Sequence, residues 1–304
     1  MGRASGLFFR RLSSRFPPAA DPKRHIDVTG MSRPARKLGM PMNNAISLAA
    51  ARLANCTGVL VDLDGCLWSD GALLPGALHL ARRFPGRLAV VSNNSTHAPA
   101  QLASQLRALG LDLPEAHVCL AGALAVELAA RRWPGARVLV LGTRALTDLA
   151  AAAGLVPDHD SPEVIVLARD LVLTYDRLLA ADRAAARGAP VLAANPDLTH
   201  PGCDGAVNVE TGALLAALRA AVPTTDVTVV GKPAPALFAA ALRRLGIEAR
   251  EAVMIGDNPA TDIAGAAAAG IAGVLVGSHP DAAAGSLQHL LGRAAPGDLQ
   301  SAVA

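Results

Sequence analysis

The sequence predicts a doubly wound α/β fold, in which a Rossmann-like parallel sheet is interrupted by an inserted α/β domain. Two observations lead to this prediction. Short runs rich in Val and Ile alternate with Ala- and Leu-rich stretches, and such alternation of strand and helix patterns is typical of parallel sheets. About 130 residues separate the second of these runs from the third, far more than one strand connection needs.

Five apolar runs mark the strands of the predicted core. Each is short and mostly apolar, as expected for strands buried on both faces. In chain order they are GVLVDLD (58–64), RLAVVSNN (87–94), VTVVGK (227–232), AVMIGDN (252–258) and IAGVLVG (271–277). Helix patterns lie between them, and two of these end at Gly246 and Gly270, where glycine commonly terminates a helix.

The long interval contains strand-like runs of its own. They are ARVLVLG (136–142), EVIVLA (163–168) and PVLAAN (190–195). These runs predict an inserted cap domain of residues 123–205, and a core made of residues 46–122 and 206–290. Residues 1–45 are interpreted as a disordered or wrongly assigned basic leader, with targeting as the alternative, and 291–304 as a tail.

Composition excludes several classes of protein. The net charge is +3, but residues 1–41 hold nine Lys and Arg against two Asp, which leaves 19 basic and 23 acidic residues in the rest. A nucleic-acid-binding domain would show the reverse. No stretch reaches the roughly 18 apolar residues of a membrane span. Four widely spaced cysteines favour free thiols, and so a cytoplasmic protein, over disulfides or a zinc site.

Two carboxylates end the first run. Asp62 and Asp64 lie where a buried strand reaches solvent, and Gly65 follows. One interpretation is a simple turn. The other is a Mg²⁺ site in which the cation offsets the repulsion between the carboxylates, one aspartate attacks phosphorus, and the second moves a proton to or from the reacting oxygens.

A second acidic segment, IGDNPATD (255–262), follows the fourth run. Asp257 ends the strand and suits a metal ligand, because the carboxyl ends of parallel strands line a common ligand crevice. Asp262 falls early in the next helix, where it or Thr261 would also serve as a helix cap.

Lys232 stands apart by composition, because every other basic residue after position 41 is Arg or His. A compact ammonium at a strand end suits a phosphate oxygen beside the carboxylates. A solvated surface lysine is the alternative. Ser92 and Asn93, at the end of the second run, offer a hydroxyl and a backbone N–H to a phosphoryl group, or form an ordinary Asn-rich turn.

Together these segments resemble the haloacid dehalogenase superfamily. DLDG, SNN, GKP and GDNPATD match its four motifs in order, and DGCLW, GKPAP and ANPD resemble the type IIA group of NagD-like, p-nitrophenyl phosphatase and pyridoxal phosphatase relatives. The likeness covers about residues 53–285.

The resemblance implies a role for each matched residue. Asp62 is the nucleophile and a Mg²⁺ ligand, and Asp64 is the general acid and base and binds Mg²⁺ through its backbone carbonyl. Ser92 and Lys232 hold the phosphate with Asn93 close by. Asp257 completes the metal site, and Asp262 supports it from behind or positions Lys232.

The insert would then be a C2-type cap that sets substrate choice. Asn195 and Asp197 are its expected substrate contacts. Arg169 and Tyr175 are further candidates, for which packing within the cap and a solvated face are the favoured alternative. The predicted cap holds no lysine, which argues against a Schiff-base mechanism. An aspartate at position 64 argues against a dehalogenase, whose leaving halide needs no proton.

The predicted function is a cytoplasmic, Mg²⁺-dependent phosphatase that hydrolyses small phosphomonoesters through an aspartyl-phosphate. A phosphotransferase or mutase with the same intermediate, and a non-catalytic binder of phosphorylated metabolites, are the alternatives. The expected partner is a small phosphorylated metabolite, with no nucleic acid and no membrane, and pairing of two copies through the cap is a further expectation.

Overall fold

The computed structural model describes residues 42–201 and 206–292. Two five-stranded parallel sheets and two short antiparallel pairs lie in this part of the chain. The strands in chain order are β1 Gly58–Val61, β2 Trp68–Ser69, β3 Ala72–Leu73, β4 Leu88–Ser92, β5 Val118–Leu120, β6 Arg137–Leu141, β7 Val156–Pro157, β8 Val164–Leu167, β9 Val191–Ala193, β10 Thr199–Pro201, β11 Val207–Val209, β12 Val227–Val229, β13 Ala252–Gly256 and β14 Ala272–Leu275.

Helices connect these strands. They are α1 Met42–Asn55, α2 Ala77–Arg83, α3 Pro99–Ala108, α4 Ala121–Arg132, α5 Arg144–Ala152, α6 Tyr175–Ala186, α7 Thr211–Ala221, α8 Pro235–Leu245, α9 Ala264–Ala268 and α10 Leu287–Gly292. Helix α8 ends at Gly246 with φ 68°, the left-handed cap that the sequence predicts there. No described helix is long and apolar enough to cross a membrane.

The first sheet has the strand order β14–β13–β1–β4–β5, and all its pairs are parallel. Strand β1 is central and buried at every residue. Val59 and Val61 point to one face and Leu60 to the other, so each face belongs to a different hydrophobic cluster. This burial on both faces explains why the strand reads as a continuous apolar run.

The second sheet has the order β12–β9–β8–β6–β7 and is also parallel. One face packs on helices α6 and α7 through Ala181, Leu215 and Leu218. The other face shares a cluster with the first sheet, which joins Leu60 and Met254 to side chains such as Val138, Val166 and Leu192. The two sheets are therefore parts of one continuous packed structure.

The sequence places residues 206–222 and the run at 227–232 in the core, and the structure corrects this. Helix α7 packs on the second sheet, and β12 pairs with β9 at the edge of that sheet. The physical reason is the β9–α7–β12 crossover: once α7 buries Leu215 and Leu218 there, the next strand returns parallel to β9. The insert thus extends to about residue 229, beyond the predicted boundary at 205.

Two other predicted segments lie at the ends of the chain. Helix α1 begins at Met42, inside the predicted leader of residues 1–45, and α10 continues to Gly292 in the predicted tail. The remaining parts of both segments, residues 1–41 and 293–304, lie outside the described residues.

Candidate active site

The site forms where strands of both sheets end. Asp62 follows β1, Ser92 is the last residue of β4, and Asp257 follows β13, so the first sheet supplies three of the predicted residues from adjacent strands. Lys232 comes from the second sheet, three residues after β12. The Asp62 amide donates to the Ile255 carbonyl at 2.9 Å, which extends the β1–β13 ladder to Asp62 and fixes its backbone.

A buried lysine connects two of the aspartates. The Lys232 ammonium lies 2.6 Å from Asp62 Oδ1 and 2.7 Å from Asp262 Oδ1. Lys232 is 2% exposed and Asp262 is fully buried. The other oxygen of Asp262, Oδ2, accepts from the Asn258 amide at 3.0 Å. Asp262 thus pairs with Lys232 through Oδ1 and with the Asn258 amide through Oδ2.

Three carboxylates surround the end of β1. One oxygen from each of Asp62, Asp257 and Asp262 lies within 4.8 Å of the others. With Lys232 as the cation of this group, the charge is −2 when all four side chains are ionised. A bound cation would offset this negative charge, which is costly to keep in a largely buried site.

A glycine leaves room for one of these carboxylates. A Cβ on Gly65 would overlap the Asp257 carboxylate, and Gly65 has φ 79°. Glycine is therefore needed here on both steric and conformational grounds.

The electrostatics of the group follow from its burial. Burial raises the pKa of the Asp62 carboxyl, Lys232 opposes this shift, and Asp262 reinforces it. Burial also raises the pKa of Asp257, with Asp262 as the next contribution. For Lys232, burial alone would lower the pKa, but Asp62 and Asp262 raise it above its ordinary value. The lysine is therefore charged, and a bound cation would favour the ionised form of the aspartates.

Asp64 is close to this group but stands outside it. Its carboxylate is exposed, and Oδ1 accepts a hydrogen bond from the Trp68 indole Nε1 at 2.8 Å. It still acts on the cluster electrostatically, as the smallest of the contributions that raise the pKa of Asp62. Its expected metal contact through the backbone carbonyl stays a prediction.

Ser92 and Asn93 lie at the junction of the two sheets. Ser92 is 1% exposed, and its hydroxyl accepts from the Asn94 amide at 3.1 Å, which leaves its own proton to donate. Asn93 Nδ2 donates to the Lys232 carbonyl at 3.0 Å and to Asp197 Oδ2 at 2.9 Å. The Asn93 side chain therefore holds the lysine segment.

The predicted cap residues bind this same asparagine. Asn195 Nδ2 donates to the Asn93 carbonyl at 2.8 Å, and Asn195 Oδ1 accepts from the Asp197 amide at 3.1 Å. Both follow β9, so they link the end of the second sheet to the loop after β4. Their expected contact with substrate stays a prediction.

The two further cap candidates differ. Arg169 Nη1 lies 3.3 Å from His200 Nε2 and 3.6 Å from Glu210 Oε1, and the Arg169 amide donates to Ser95 Oγ at 3.1 Å. Arg169 therefore lies beside the loop that follows β4. Tyr175 begins α6 and is 80% exposed.

Two family models match this chain, one in each half of the core. A haloacid dehalogenase-like hydrolase model matches residues 59–156, and a HAD-hydrolase-like model matches residues 229–290. The two matches include the segments that carry Asp62 and Ser92, and Lys232 and Asp257.

Named relatives extend this likeness over most of the chain. The acid sugar phosphatase of Staphylococcus aureus is 30% identical over 212 residues, which cover 67% of this chain and 80% of that protein. The chain belongs to the haloacid dehalogenase-like hydrolases. The D-glycerol 3-phosphate phosphatase of Mycobacterium tuberculosis is 36% identical over 222 residues, 72% of this chain and 62% of that protein.

Solved structures agree with this family. The 4-nitrophenylphosphatase of Thermotoga maritima superposes with a TM-score of 0.73 at 27% identity, over 80% of this chain and 99% of that one. A calcium complex of the glycerol phosphate phosphatase of M. tuberculosis gives 0.70 at 32% identity, over 79% and 76% of the chains.

The resemblance drawn from the four motifs is thereby confirmed, including the type IIA group, whose NagD representative from Escherichia coli also superposes, with a TM-score of 0.68. The chain is a phosphatase of this haloacid dehalogenase-like family.

The motif-based reading of the site missed one contact, the hydrogen bond from Trp68 to Asp64. The sequence does place one of the chain's two tryptophans, in DGCLW, four residues after Asp64. Spacing alone does not show that a side chain turns back across a tight loop, and no sequence rule joins an indole to a carboxylate.

Proposed function

We propose that this phosphatase hydrolyses small phosphomonoesters in a Mg²⁺-dependent reaction that transfers the phosphoryl group to Asp62. The observation that carries this proposal is the buried Lys232, whose ammonium touches both Asp62 and Asp262, next to a third carboxylate from Asp257. A turn or a solvated surface would not bury one ammonium among three acids.

The residues present fit a divalent cation. All donors are carboxylate oxygens, which Mg²⁺ prefers, and the missing Cβ of Gly65 leaves space beside Asp257. Asp62 and Asp257 would hold the ion, together with the Asp64 backbone carbonyl. The M. tuberculosis glycerol phosphate phosphatase has been solved with calcium and with magnesium. When bound, such an ion neutralises phosphate charge and polarises the phosphoryl oxygens.

Asp62 is the proposed nucleophile. Its backbone is fixed by the β1–β13 ladder, and Lys232 fixes one side-chain oxygen. A carboxylate oxygen attacks phosphorus, the bond from phosphorus to the ester oxygen breaks, and Asp64 gives a proton to that leaving oxygen. Water then attacks the phosphorus of the aspartyl-phosphate, Asp64 takes up one of its protons, and inorganic phosphate leaves with Asp62 restored.

Lys232, Ser92 and the Asn93 amide are the proposed phosphate contacts. The Lys232 ammonium is rigidly held and has a third donor direction beyond its two carboxylates. Charge that develops on the phosphoryl oxygens would meet these donors already in place, which is the main source of catalysis in phosphoryl transfer.

The proposed substrates are small phosphorylated metabolites, since the named relatives are phosphatases of sugar phosphates and glycerol phosphate. Cytoplasmic location remains a prediction that rests on cysteine usage. Cys56, Cys66 and Cys119 are free thiols in the structure, in keeping with a reducing compartment. Pairing of two copies through the cap also stays a prediction.

A panel of phosphomonoesters tests this function with the purified protein. We expect turnover with Mg²⁺, loss with a chelator, and recovery when Mg²⁺ is restored. Asp62→Asn should lower kcat by at least about 1,000-fold, as nucleophile loss does elsewhere. Mass spectrometry after acid quenching should find phosphate on Asp62.

Asp70→Asn is the matched control. Asp70 is exposed in a turn with φ 51°, a conformation that asparagine accepts. Full activity of Asp62→Asn, or activity that a chelator leaves intact, would refute the proposal.

A further inference from the structure

The indole of Trp68 is bonded to Asp64, which is proposed above as the proton donor. Trp68 Nε1 donates to Asp64 Oδ1 at 2.8 Å. The other oxygen, Oδ2, has no protein donor among residues 42–201 and 206–292. One oxygen of the carboxyl group is thus anchored, while the second is open to solvent and to an incoming ligand.

The short segment that carries both side chains is held by its backbone. The Gly65 amide donates to the Trp68 carbonyl at 3.0 Å, and the Trp68 amide donates to the Leu63 carbonyl at 3.0 Å. Trp68 then begins the β2–β3 hairpin, where it pairs with Leu73. The hairpin turns through Asp70 and Gly71 with φ 51° and 79°, as in a tight type I′ turn.

The indole ring is also held by packing. Trp68 is half-buried and lies against the hydrophobic cluster on the Val59 and Val61 face of the first sheet. The donor therefore stands in a fixed place before substrate arrives. The carboxyl Oδ1 can accept from the indole N–H whether or not Oδ2 carries a proton, so this bond restricts the otherwise exposed Asp64 side chain.

We propose that Trp68 is a positioning residue that fixes the orientation of Asp64 for proton transfer to the leaving oxygen. This inference rests on the proposed role of Asp64. An indole N–H only donates and has no acceptor site, so Trp68 cannot take up or relay the proton. Its contribution is to hold Oδ1, so that Oδ2 faces the ester oxygen.

This role predicts a dependence on the leaving group. A nitrophenolate leaves without protonation, whereas an alkoxide needs the proton that Asp64 supplies. We expect Trp68→Phe, which keeps an aromatic ring and removes the donor, to lower kcat/KM for an alkyl phosphate by about 10-fold, a part of the effect of general acid catalysis. For p-nitrophenyl phosphate the loss should stay below about 2-fold.

The chain offers a matched control for this substitution. Trp133 is its other tryptophan and lies at the end of α4, half-buried against a different cluster. Trp133→Phe should leave kcat/KM unchanged for both substrates. Equal losses of Trp68→Phe on both substrates, or no loss on the alkyl phosphate, would overturn the inference.

Asp64→Asn, assayed in parallel, separates this inference from the proposed function. If Asp64→Asn turns over the alkyl phosphate as well as the parent does, Asp64 is not the proton donor and the proposed function fails at that step. If Asp64→Asn is defective and Trp68→Phe is not, only the positioning role is wrong.

The indole N–H resonance of Trp68 tests the hydrogen bond to Asp64 even if Trp68→Phe does not fold. In Trp133→Phe protein, Trp68 gives the single indole N–H resonance. Adding Asp64→Ala to that protein should shift this resonance and speed the exchange of its proton with water. An unchanged resonance would show that the hydrogen bond is absent in solution and would overturn the proposal.

Discussion

At the scale of single residues, the active site depends on one ammonium that compensates two buried acids. Asp62 and Asp262 are both within hydrogen-bonding distance of Lys232, and all three side chains are buried. Removing a partner from a buried ion pair costs more than the pair contributes, because a charge is left uncompensated.

Lys232→Met should therefore destabilise the protein as well as inactivate it. We expect the free energy of unfolding in urea to fall by about 3–5 kcal/mol, the usual cost of breaking a buried pair. Adding Asp262→Asn should restore part of the stability, since it removes one uncompensated carboxylate, but no activity. A double variant that is less stable than Lys232→Met would contradict this account.

Gly65 and Gly71 have the same φ of 79°, so Ala variants at the two positions can distinguish backbone strain from an effect on metal binding. Gly65 and Gly71 would both be strained by a side chain, but only at Gly65 does the new Cβ meet the Asp257 carboxylate. Each Ala variant should lose about 1–2 kcal/mol of stability from the left-handed backbone conformation alone.

Only Gly65→Ala should also weaken metal activation. We expect the Mg²⁺ concentration for half-maximal activity to rise by at least about 10-fold, as disturbed ligand support does in metal sites. A titration of activity with Mg²⁺ measures this, with Gly71→Ala as control. If both variants need the same Mg²⁺ concentration, the clearance at Gly65 has no role in ion binding.

At the scale of elements, the loops after β4 and β9 meet through side chains. Asn195 and Asp197 hold Asn93 from the second sheet, and Asn93 holds the Lys232 carbonyl. We therefore expect this link to affect catalysis through the position of the proposed phosphate contacts, and not through the identity of the substrate.

Asp197→Ala should then lower kcat/KM for unlike phosphate esters by the same factor, about 10-fold, because small displacements of positioned groups are costly. Asp176→Ala, an exposed change on α6, is the control. If Asp197→Ala instead changes the ranking of substrates, Asp197 contacts the substrate directly, as the family resemblance implies.

The elements also show what a sequence can predict. Strands β1, β4 and β13 are readable because burial on both faces makes them almost entirely apolar, and the polar residues at their ends point to a common edge. Strand β12 has the same pattern, but which of two parallel sheets it joins depends on where α7 buries Leu215 and Leu218. The sheet that β12 joins is therefore decided by tertiary packing, and hydrophobic periodicity in the sequence does not predict it.

At the scale of the whole molecule, the two sheets share a hydrophobic cluster. Leu60 and Met254 of the first sheet belong to the same cluster as Val138 and Leu192 of the second. Separating the sheets would expose this apolar surface, so we expect them to unfold together.

The two tryptophans allow a test of cooperativity. Trp68 lies against the first sheet's own cluster, and Trp133 packs on the shared one. In Trp133→Phe and Trp68→Phe proteins, the fluorescence transition in urea should coincide with the loss of helix circular dichroism. A fluorescence midpoint that precedes the circular dichroism midpoint would show that one sheet unfolds independently.

The position of β12 has a consequence for how the insert can vary. Only Val230 and Gly231 separate the last strand of the second sheet from the lysine that contacts Asp62. A replacement domain of another architecture would have to return the chain at that point and in that direction, or the ammonium would miss its carboxylates. Chimeras in which the replacement domain ends before β12, so that residues 227–232 are retained, should therefore be the ones that keep turnover.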